Sequence, residues 1–237
     1  MTSEITPTGR LRLGINGTNP TLYIPTADGS AGGIAAEIGR FIAGKLGVAF
    51  EPRVYSEPGA FPASFGKGEW DIIVTGRNPH AAQFVDFVAD VVLIDYVFLA
   101  GAVCNIDDPA EVDRPGIKIG VPRGASAHAF LSRRLKHAEV VPLQASPEAV
   151  AAMFANDTIQ LYATGTDGVT VIADRAPGSR IIGPFETVAF AVSTQQGLST
   201  EAKSTLARIV NEAKSTGIVQ RAIETSGRTS VRAAPLS

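Results

Sequence analysis

The sequence predicts an α/β fold built from two successive units. Short apolar runs rich in Val and Ile alternate with segments whose apolar residues recur at helical spacing, the pattern of parallel strands covered by helices on both faces. The alternation starts twice, at Leu11 and again after Asp90, which gives two successive β-α-β series. The length of 237 residues can bury a full core, as one large domain or two smaller lobes.

In the first series, Leu11 to Ile15 is a short strand, and a loop rich in Asn, Gly, Pro and Thr runs on to Gly33. Ile34, Ile38, Phe41, Ile42 and Leu46 then form one face of a helix, and Gly47 stops it. Val48 to Tyr55 reads as a second strand and Phe61 to Phe65 as a short helix. Trp70 to Thr75 is a buried strand that runs straight into the polar loop Gly76-Arg77-Asn78-Pro79.

The second series has strands at Gly116 to Val121, Val140 to Leu143, Ile159 to Ala163 and Arg180 to Ile182. Arg123-Gly124-Ala125-Ser126 opens a helix that runs to Leu135. Ser146-Pro147-Glu148 is a strong helix start, with a capping hydroxyl, proline at the first helical position and an acid in the first turn. The run AFAVST from Ala189 is a further strand, followed by a helix from Thr200 to Thr216 between Ser199 and Gly217. A short helix covers Ile218 to Thr225, and Ser226 to Ser237 reads as a loose tail.

Composition narrows the function. With 45% hydrophobic and 19% charged residues, the chain has an ordinary globular make-up. A net charge of -2 lacks the basic footprint of a nucleic-acid binder. Cys104 is the single cysteine, so no disulfide forms within the chain. No apolar stretch approaches the roughly 18 residues of a membrane helix, so no membrane insertion is expected. The start, MTSEITPTGRLRLGI, has neither a basic n-region nor an apolar h-region, which predicts a cytoplasmic protein as written, or a periplasmic one whose signal has been removed.

The segment WDIIVTGRNPHAAQFVDF, from Trp70 to Phe87, resembles the ligand-gripping segment of type II periplasmic solute-binding proteins, the extracellular family 3 kind that serves amino-acid ABC transporters. Pro79, Asp86 and Phe87 fit its pattern, whereas the arginine that clamps a substrate carboxylate in many members falls at Ala81. GINGTNPTL, GGIAAEIGRFIAGKLGV, VDRPGIKIGVPRGASAHAFLSRRLKHAEVV and NEAKSTGIVQRAIETSG extend the resemblance over most of the chain. It implies two α/β lobes joined by two hinge strands with a ligand cleft between them. Lobe one is then residues 1–98 plus 192–237 and lobe two is residues 99–191, with crossings near Phe98 to Gly101 and Ala189 to Ser193.

On such a fold, strand ends and helix N-termini supply unpaired N–H groups that favour a polar or anionic ligand. Four segments qualify. Asn16 and Asn19 follow the first strand, where asparagine can contact a polar solute or simply build a turn. Thr75, Gly76 and Arg77 end another strand; Gly76 lets a ligand approach the backbone, and Arg77 offers a fork for a carboxylate or is a plain surface arginine. Arg123, Gly124, Ala125 and Ser126 open a helix whose N–H groups and hydroxyl can cradle an anion, unless Ser126 only caps the helix. Thr166 and Asp167 follow the Ile159 to Ala163 strand. The resemblance implies that Asp167 holds a ligand ammonium group; as the residue before Gly168 it is equally a candidate N-cap. Glu186, on the return toward the hinge, reads as an exposed acid.

Three catalytic or metal motifs fail on inspection. GRFIAGK, Gly39 to Lys45, has the spacing of a phosphate-binding loop, but Leu46 replaces the required hydroxyl and the segment lies inside a helix. Gly124 to His128 falls short of a G-x-S-x-G elbow. His80, His128 and His137 have no paired ligand spacing, so no metal and no cofactor are expected. The expected function is a monomeric, noncatalytic solute-binding protein that traps a small polar or anionic, amino-acid-like metabolite and hands it to an ABC-transporter permease. The alternative is an enzyme of the dehydratase or lyase kind on the same scaffold. There Asp167 or Glu186 acts as acid or base, and Arg77 and Arg123 hold the substrate.

Overall fold

The computed structural model describes residues 2–228 and 230–236. In chain order the elements are α1 (Thr2–Ile5), β1 (Arg10–Asn16), β2 (Ile24–Pro25), β3 (Ala31–Gly32), α2 (Ile34–Leu46), β4 (Ala49–Tyr55), α3 (Ala60–Ala63), β5 (Ile72–Gly76) and β6 (Val85–Ala100). There follow β7 (Lys118–Pro122), α4 (Ser126–Arg134), β8 (Glu139–Leu143), α5 (Pro147–Ala155), β9 (Leu161–Gly165) and α6 (Thr166–Ala173). The chain ends with β10 (Arg180–Gln195), α7 (Thr200–Ser215), α8 (Ile218–Ser226) and β11 (Val231–Ala233). The α/β class read from the sequence is the class observed.

The chain forms two compact units, Met1–Leu93 with Ala189–Ser237, and Ile94–Val188. Two 16-residue strands carry it across, β6 outward and β10 back.

In the first unit the strand order is β4-β1-β5-β10-β6-β11. β1 pairs in parallel with β4 and β5, whereas β10 runs antiparallel to β5. In helix α2, Ile34, Ile38 and Ile42 are fully buried, as the spacing predicts, while Phe41 and Leu46 of the same predicted face are partly buried. It ends at Gly47, whose φ of 69° is a left-handed conformation that costs a glycine nothing. An aromatic core of Phe61, Phe65, Trp70, Ile73, Ala81 and Val85 packs with Tyr55, Phe84 and Phe87. Beside it, the indole N–H of Trp70 donates to the Ser64 hydroxyl at 3.0 Å.

At the start of β1, Arg12 and Asp71 form a bidentate pair. Arg12 Nη2 is 2.6 Å and Nε 3.0 Å from Asp71 Oδ1, and the Arg12 N–H donates to Oδ2 at 2.8 Å. The Asp71 hydrogen bond, with its charge, raises the guanidinium pKa of Arg12 further.

In the second unit β6-β9-β7-β8 lie in that order, with β10 beside β6. β7 is parallel to β8 and β9, and β6 is antiparallel to β9. One face is packed by α5 and α6 through Val97, Leu99, Val150, Phe154, Ile159, Tyr162, Val169 and Ile172. Elsewhere in the unit Phe185 stacks on Phe98 with centroids 4.3 Å apart and lies 5.8 Å from Phe130 of α4.

Four expectations are corrected. The strands of each unit are mixed in direction and not all parallel, because β10 runs antiparallel to β5 and β6 runs antiparallel to β9. The loop before Gly33 contains the small hairpin of β2 and β3. Arg180 to Ile182 and AFAVST are one continuous strand, β10. The tail is not loose: Val231 is buried, β11 pairs with β6, and the Ala234 N–H donates to the Val91 carbonyl at 2.9 Å. Of the residues read as tail, Thr229 and Ser237 lie outside the described ones. The polar leader also holds a short helix, α1, which buries Ile5.

Candidate functional site

Four strand ends carry the predicted site residues, two in each unit. In the first unit, β1 ends on Asn16. Its Oδ1 accepts from the Thr18 N–H at 3.1 Å and the Thr18 hydroxyl at 2.8 Å, while Asn19 Oδ1 accepts from the Thr21 N–H at 3.0 Å. Both asparagines are therefore builders of the turn through their carbonyl oxygens. Among the described residues neither Nδ2 group has an acceptor, so a donor remains on each for a solute or water.

β5 ends with Thr75 and Gly76 buried in the sheet, and the Arg77 N–H continues the ladder by donating to the Ala189 carbonyl at 2.9 Å. Asn78 closes the following turn, with Oδ1 accepting from the Ala81 N–H at 2.9 Å and Nδ2 donating to the Gly76 carbonyl at 3.0 Å. The exposed Arg77 side chain is engaged through one of its three guanidinium nitrogens. Its Nε lies 2.6 Å from Asp90 Oδ1, and its carbon sits 5.1 Å from the centre of the Phe87 ring.

Ala81 is 0% exposed within the aromatic core. The position that resembles a carboxylate clamp is thus a core position in this chain, with no room for a long cation. Asp86 is likewise committed, to Lys203 of α7 at 3.0 Å.

In the second unit, the turn after β7 uses most of its own polar groups. The Arg123 N–H donates to the Leu143 carbonyl at 2.9 Å, and Arg123 Nη2 to the Pro142 carbonyl at 3.2 Å. The Gly124 N–H donates to His128 Nδ1 at 3.3 Å. Two expectations change here. The Ala125 N–H is not offered to a solute, since it donates to the Pro122 carbonyl at 3.1 Å. Nor does Ser126 cap its helix: Ala125 is the N-cap, and Ser126 is the first helical residue.

The Ser126 side chain is buried and shares a hydrogen bond with the Tyr96 hydroxyl. Burial pushes the Tyr96 phenol up to about 12, with the Ser126 hydrogen bond pulling weakly the other way. Tyr96 also sits beside the start of α6. It pairs with Gly165 in the ladder, and a Cβ on Gly165 would lie 3.2 Å from Tyr96 Cε1. A glycine at this N-cap lets the tyrosine ring pack against the helix start. Tyr96 therefore ties together the N-termini of α4 and α6, a role the sequence hinted at only by the Asp95-Tyr96 pair inside an otherwise apolar run.

α6 starts at Thr166, whose hydroxyl donates to the Asp95 carbonyl at 3.0 Å. Asp167 is the second helical residue and Gly165 the N-cap, so Asp167 does not cap the helix. Its Oδ2 is shielded from water and has no hydrogen-bond partner among the described residues. Glu186, on β10, is half-buried and not the exposed acid expected; it has no hydrogen bond or ion pair among the described residues.

No family model matches the sequence, and no curated protein matches it. Solved structures do. A solute receptor for L-cysteine of Neisseria gonorrhoeae has a TM-score of 0.78 at 19% identity, over 95% of this chain and 92% of that one. The fold is that of the periplasmic binding proteins. A Streptococcus pneumoniae amino-acid ABC-transporter substrate-binding protein bound to L-arginine aligns at TM-score 0.75 and 16% identity, over 94% of this chain and 96% of that one. An ancestral amino-acid-binding protein, a precursor of cyclohexadienyl dehydratase, aligns at 0.77 and 17%, over 96% and 99%. At such identities the likeness establishes the fold alone. Among the described residues no helix is long and apolar enough to cross a membrane.

Proposed function

We propose that the chain is a solute-binding protein for a small polar metabolite that carries an ammonium group, such as an amino acid. The observation that carries this reading is Asp167. A carboxylate oxygen kept from water without a partner costs several kcal/mol unless a charge or donor meets it. The N-terminus of α6 stabilises the negative charge of Asp167 in place. An ammonium group supplies both the counter-charge and the missing donor. On the same unit as Asp167, Arg123, Gly124, Ser126 and Thr166 are the further contact positions proposed; on the first unit, taken by itself, Asn16, Asn19, Thr75, Gly76 and Arg77 remain proposed positions. The fold's occurrence in amino-acid receptors supports the reading.

Delivery to a membrane permease, and with it residence outside the cytoplasm, follow as parts of the same proposal. Fractionation of cells producing the full chain tests the compartment. Thermal shift against amino acids, amines and carboxylates tests the binding, because a ligand at about 100 times its Kd stabilises the folded state by about 2.7 kcal/mol. A flat response across the panel contradicts the reading.

A second reading, an enzyme of the dehydratase or lyase kind, draws on the unpartnered Glu186 and on the dehydratase precursor among the similar structures. Chemical conversion of a bound solute that is abolished by Glu186→Gln supports it. Recovery of the solute unchanged after prolonged incubation removes it.

A further inference from the structure

We infer that Asn16 is a self-modification site, at which the folded chain converts the asparagine to aspartate and isoaspartate. The inference stands apart from the solute-binding reading and lies wholly within the first unit.

The reaction needs a backbone nitrogen that can reach the side-chain carbonyl of the residue before it. That nitrogen bonds to Cγ and closes a succinimide ring; the proton it loses and the side-chain amide group leave together as ammonia. Water then opens the ring at either carbonyl, giving aspartate or isoaspartate, with no change of oxidation state.

The chain has six asparagines, and their neighbours separate them. Asn19 and Asn78 precede Pro20 and Pro79, whose nitrogens have no proton to lose. Asn105, Asn156 and Asn211 precede Ile106, Asp157 and Glu212, whose side chains crowd the attacking nitrogen. Asn16 alone precedes a glycine, Gly17. The fold demands that glycine, because a Cβ there would lie 2.9 Å from the Tyr55 carbonyl oxygen and 2.9 Å from Val54 Cγ1. The close approach of β1 to β4 therefore gives Asn16 the least hindered neighbour available.

The electrophile is prepared as well. Asn16 Oδ1, the atom on which negative charge develops during the attack, accepts from the Thr18 N–H at 3.1 Å and from the Thr18 hydroxyl at 2.8 Å. Donors already aimed at a developing oxyanion speed acyl transfer in the same way. Because both come from residue 18, they also hold the side-chain carbonyl back across Gly17, close to the attacking nitrogen.

One restraint opposes the reaction. The Gly17 N–H donates to the Tyr55 carbonyl at 2.9 Å and must let go before the nitrogen can lose its proton. That bond lies just past Asn16 and Tyr55, the last pair of the β1–β4 register, and β4 ends the strand order, so it opens at the low end of local stability. Asn16 and Gly17 are half-buried and Thr18 is exposed, which gives water access to the ring.

Incubation of the full chain in mildly alkaline buffer, followed by peptide mass spectrometry, tests the inference. The peptide holding Asn16 is expected to gain the mass that separates aspartate from asparagine, with release of ammonia, while the other five asparagines keep theirs. Isomerisation at Asp28-Gly29 or Asp167-Gly168 leaves the mass unaltered and does not interfere. Thr18→Val keeps the branched shape without the hydroxyl and is expected to slow the conversion by about tenfold, the effect of one hydrogen bond to a charged group. Thr18→Ser retains the hydroxyl and is expected to keep the wild-type rate. An Asn16 that stays intact in the folded chain while the urea-unfolded chain converts it overturns the inference, as does faster conversion at any other asparagine. A single rate shared by the wild type and both variants overturns the role of the Thr18 hydroxyl.

Discussion

The hydroxyl of Tyr96 shares a hydrogen bond with the side chain of Ser126, so a buried residue of a sheet strand fixes the first residue of helix α4. The same ring packs against Gly165 at the start of α6. Tyr96→Phe keeps the packing and removes the shared hydrogen bond, and we expect it to cost about 1 kcal/mol of stability. Urea unfolding of the variant beside the wild type measures this. The change also removes an alkaline sensitivity. A phenol raised to about 12 in the fold favours the folded state below the ordinary value of 10.0 and loses that contribution as pH climbs from there toward 12. The wild type should therefore lose more stability than Tyr96→Phe between those two limits.

Arg12 and Asp71 form a buried bidentate pair, with the Asp71 side chain 2% exposed. Asp71→Ala leaves the guanidinium and the Arg12 N–H without their acceptor, and should destabilise the protein by about 3–5 kcal/mol. A drop in the urea midpoint with an unaltered slope is the expected readout. A cost below about 1 kcal/mol would mean the pair behaves as a solvated surface contact.

Ala81→Arg places a long cation in a filled aromatic core. Overpacking of this kind costs about 1–3 kcal/mol, and burying an unpaired charge adds to it. The substitution should therefore lower the melting temperature without creating affinity for carboxylates. Thermal shift with and without a panel of carboxylic acids checks both outcomes.

Acid weakens the fold through exposed carboxylates. Asp28 is lowered from 3.8 to about 2, chiefly by the Thr26 hydroxyl and then by the Ser30 N–H. The N–H groups of Ala138, His137 and Lys136 hold Asp113 below the usual carboxylate range, and the N–H and hydroxyl of Ser199 do the same for Glu4. The unfolded chain takes up protons at these groups first, so their contribution is present above roughly pH 4 and is lost as pH falls toward 2. The urea midpoint should fall between pH 5 and pH 3, and less so in Asp28→Asn.

Much of this architecture is legible in the residues. Helix α2 follows from its apolar spacing and Gly47, and α5 from Ser146-Pro147-Glu148, where the Ser146 hydroxyl does accept from the Ala149 N–H at 3.3 Å. β11 was hidden because Val231 to Ala233 is too short to show a period, and it is ordered by pairing with β6, far away in sequence. β10 was hidden because Gly183 and Pro184 punctuate it as a turn would. At the candidate site the positions were readable as strand ends and helix starts, but the partners were not. Nothing local to Arg77 announces Asp90, 13 residues on, and nothing local to Ser126 announces Tyr96, because both partners come from the long strand β6.

The unpartnered oxygen of Asp167 is the feature on which the solute-binding reading turns. The most direct measurement is the affinity of wild type and Asp167→Asn for whichever of lysine, arginine, tyrosine and their decarboxylated amines binds tightest, by isothermal titration. An ammonium held by Asp167 predicts a loss of about tenfold to a hundredfold in the variant, the effect of one charged hydrogen bond. Equal affinity in the two proteins would contradict it.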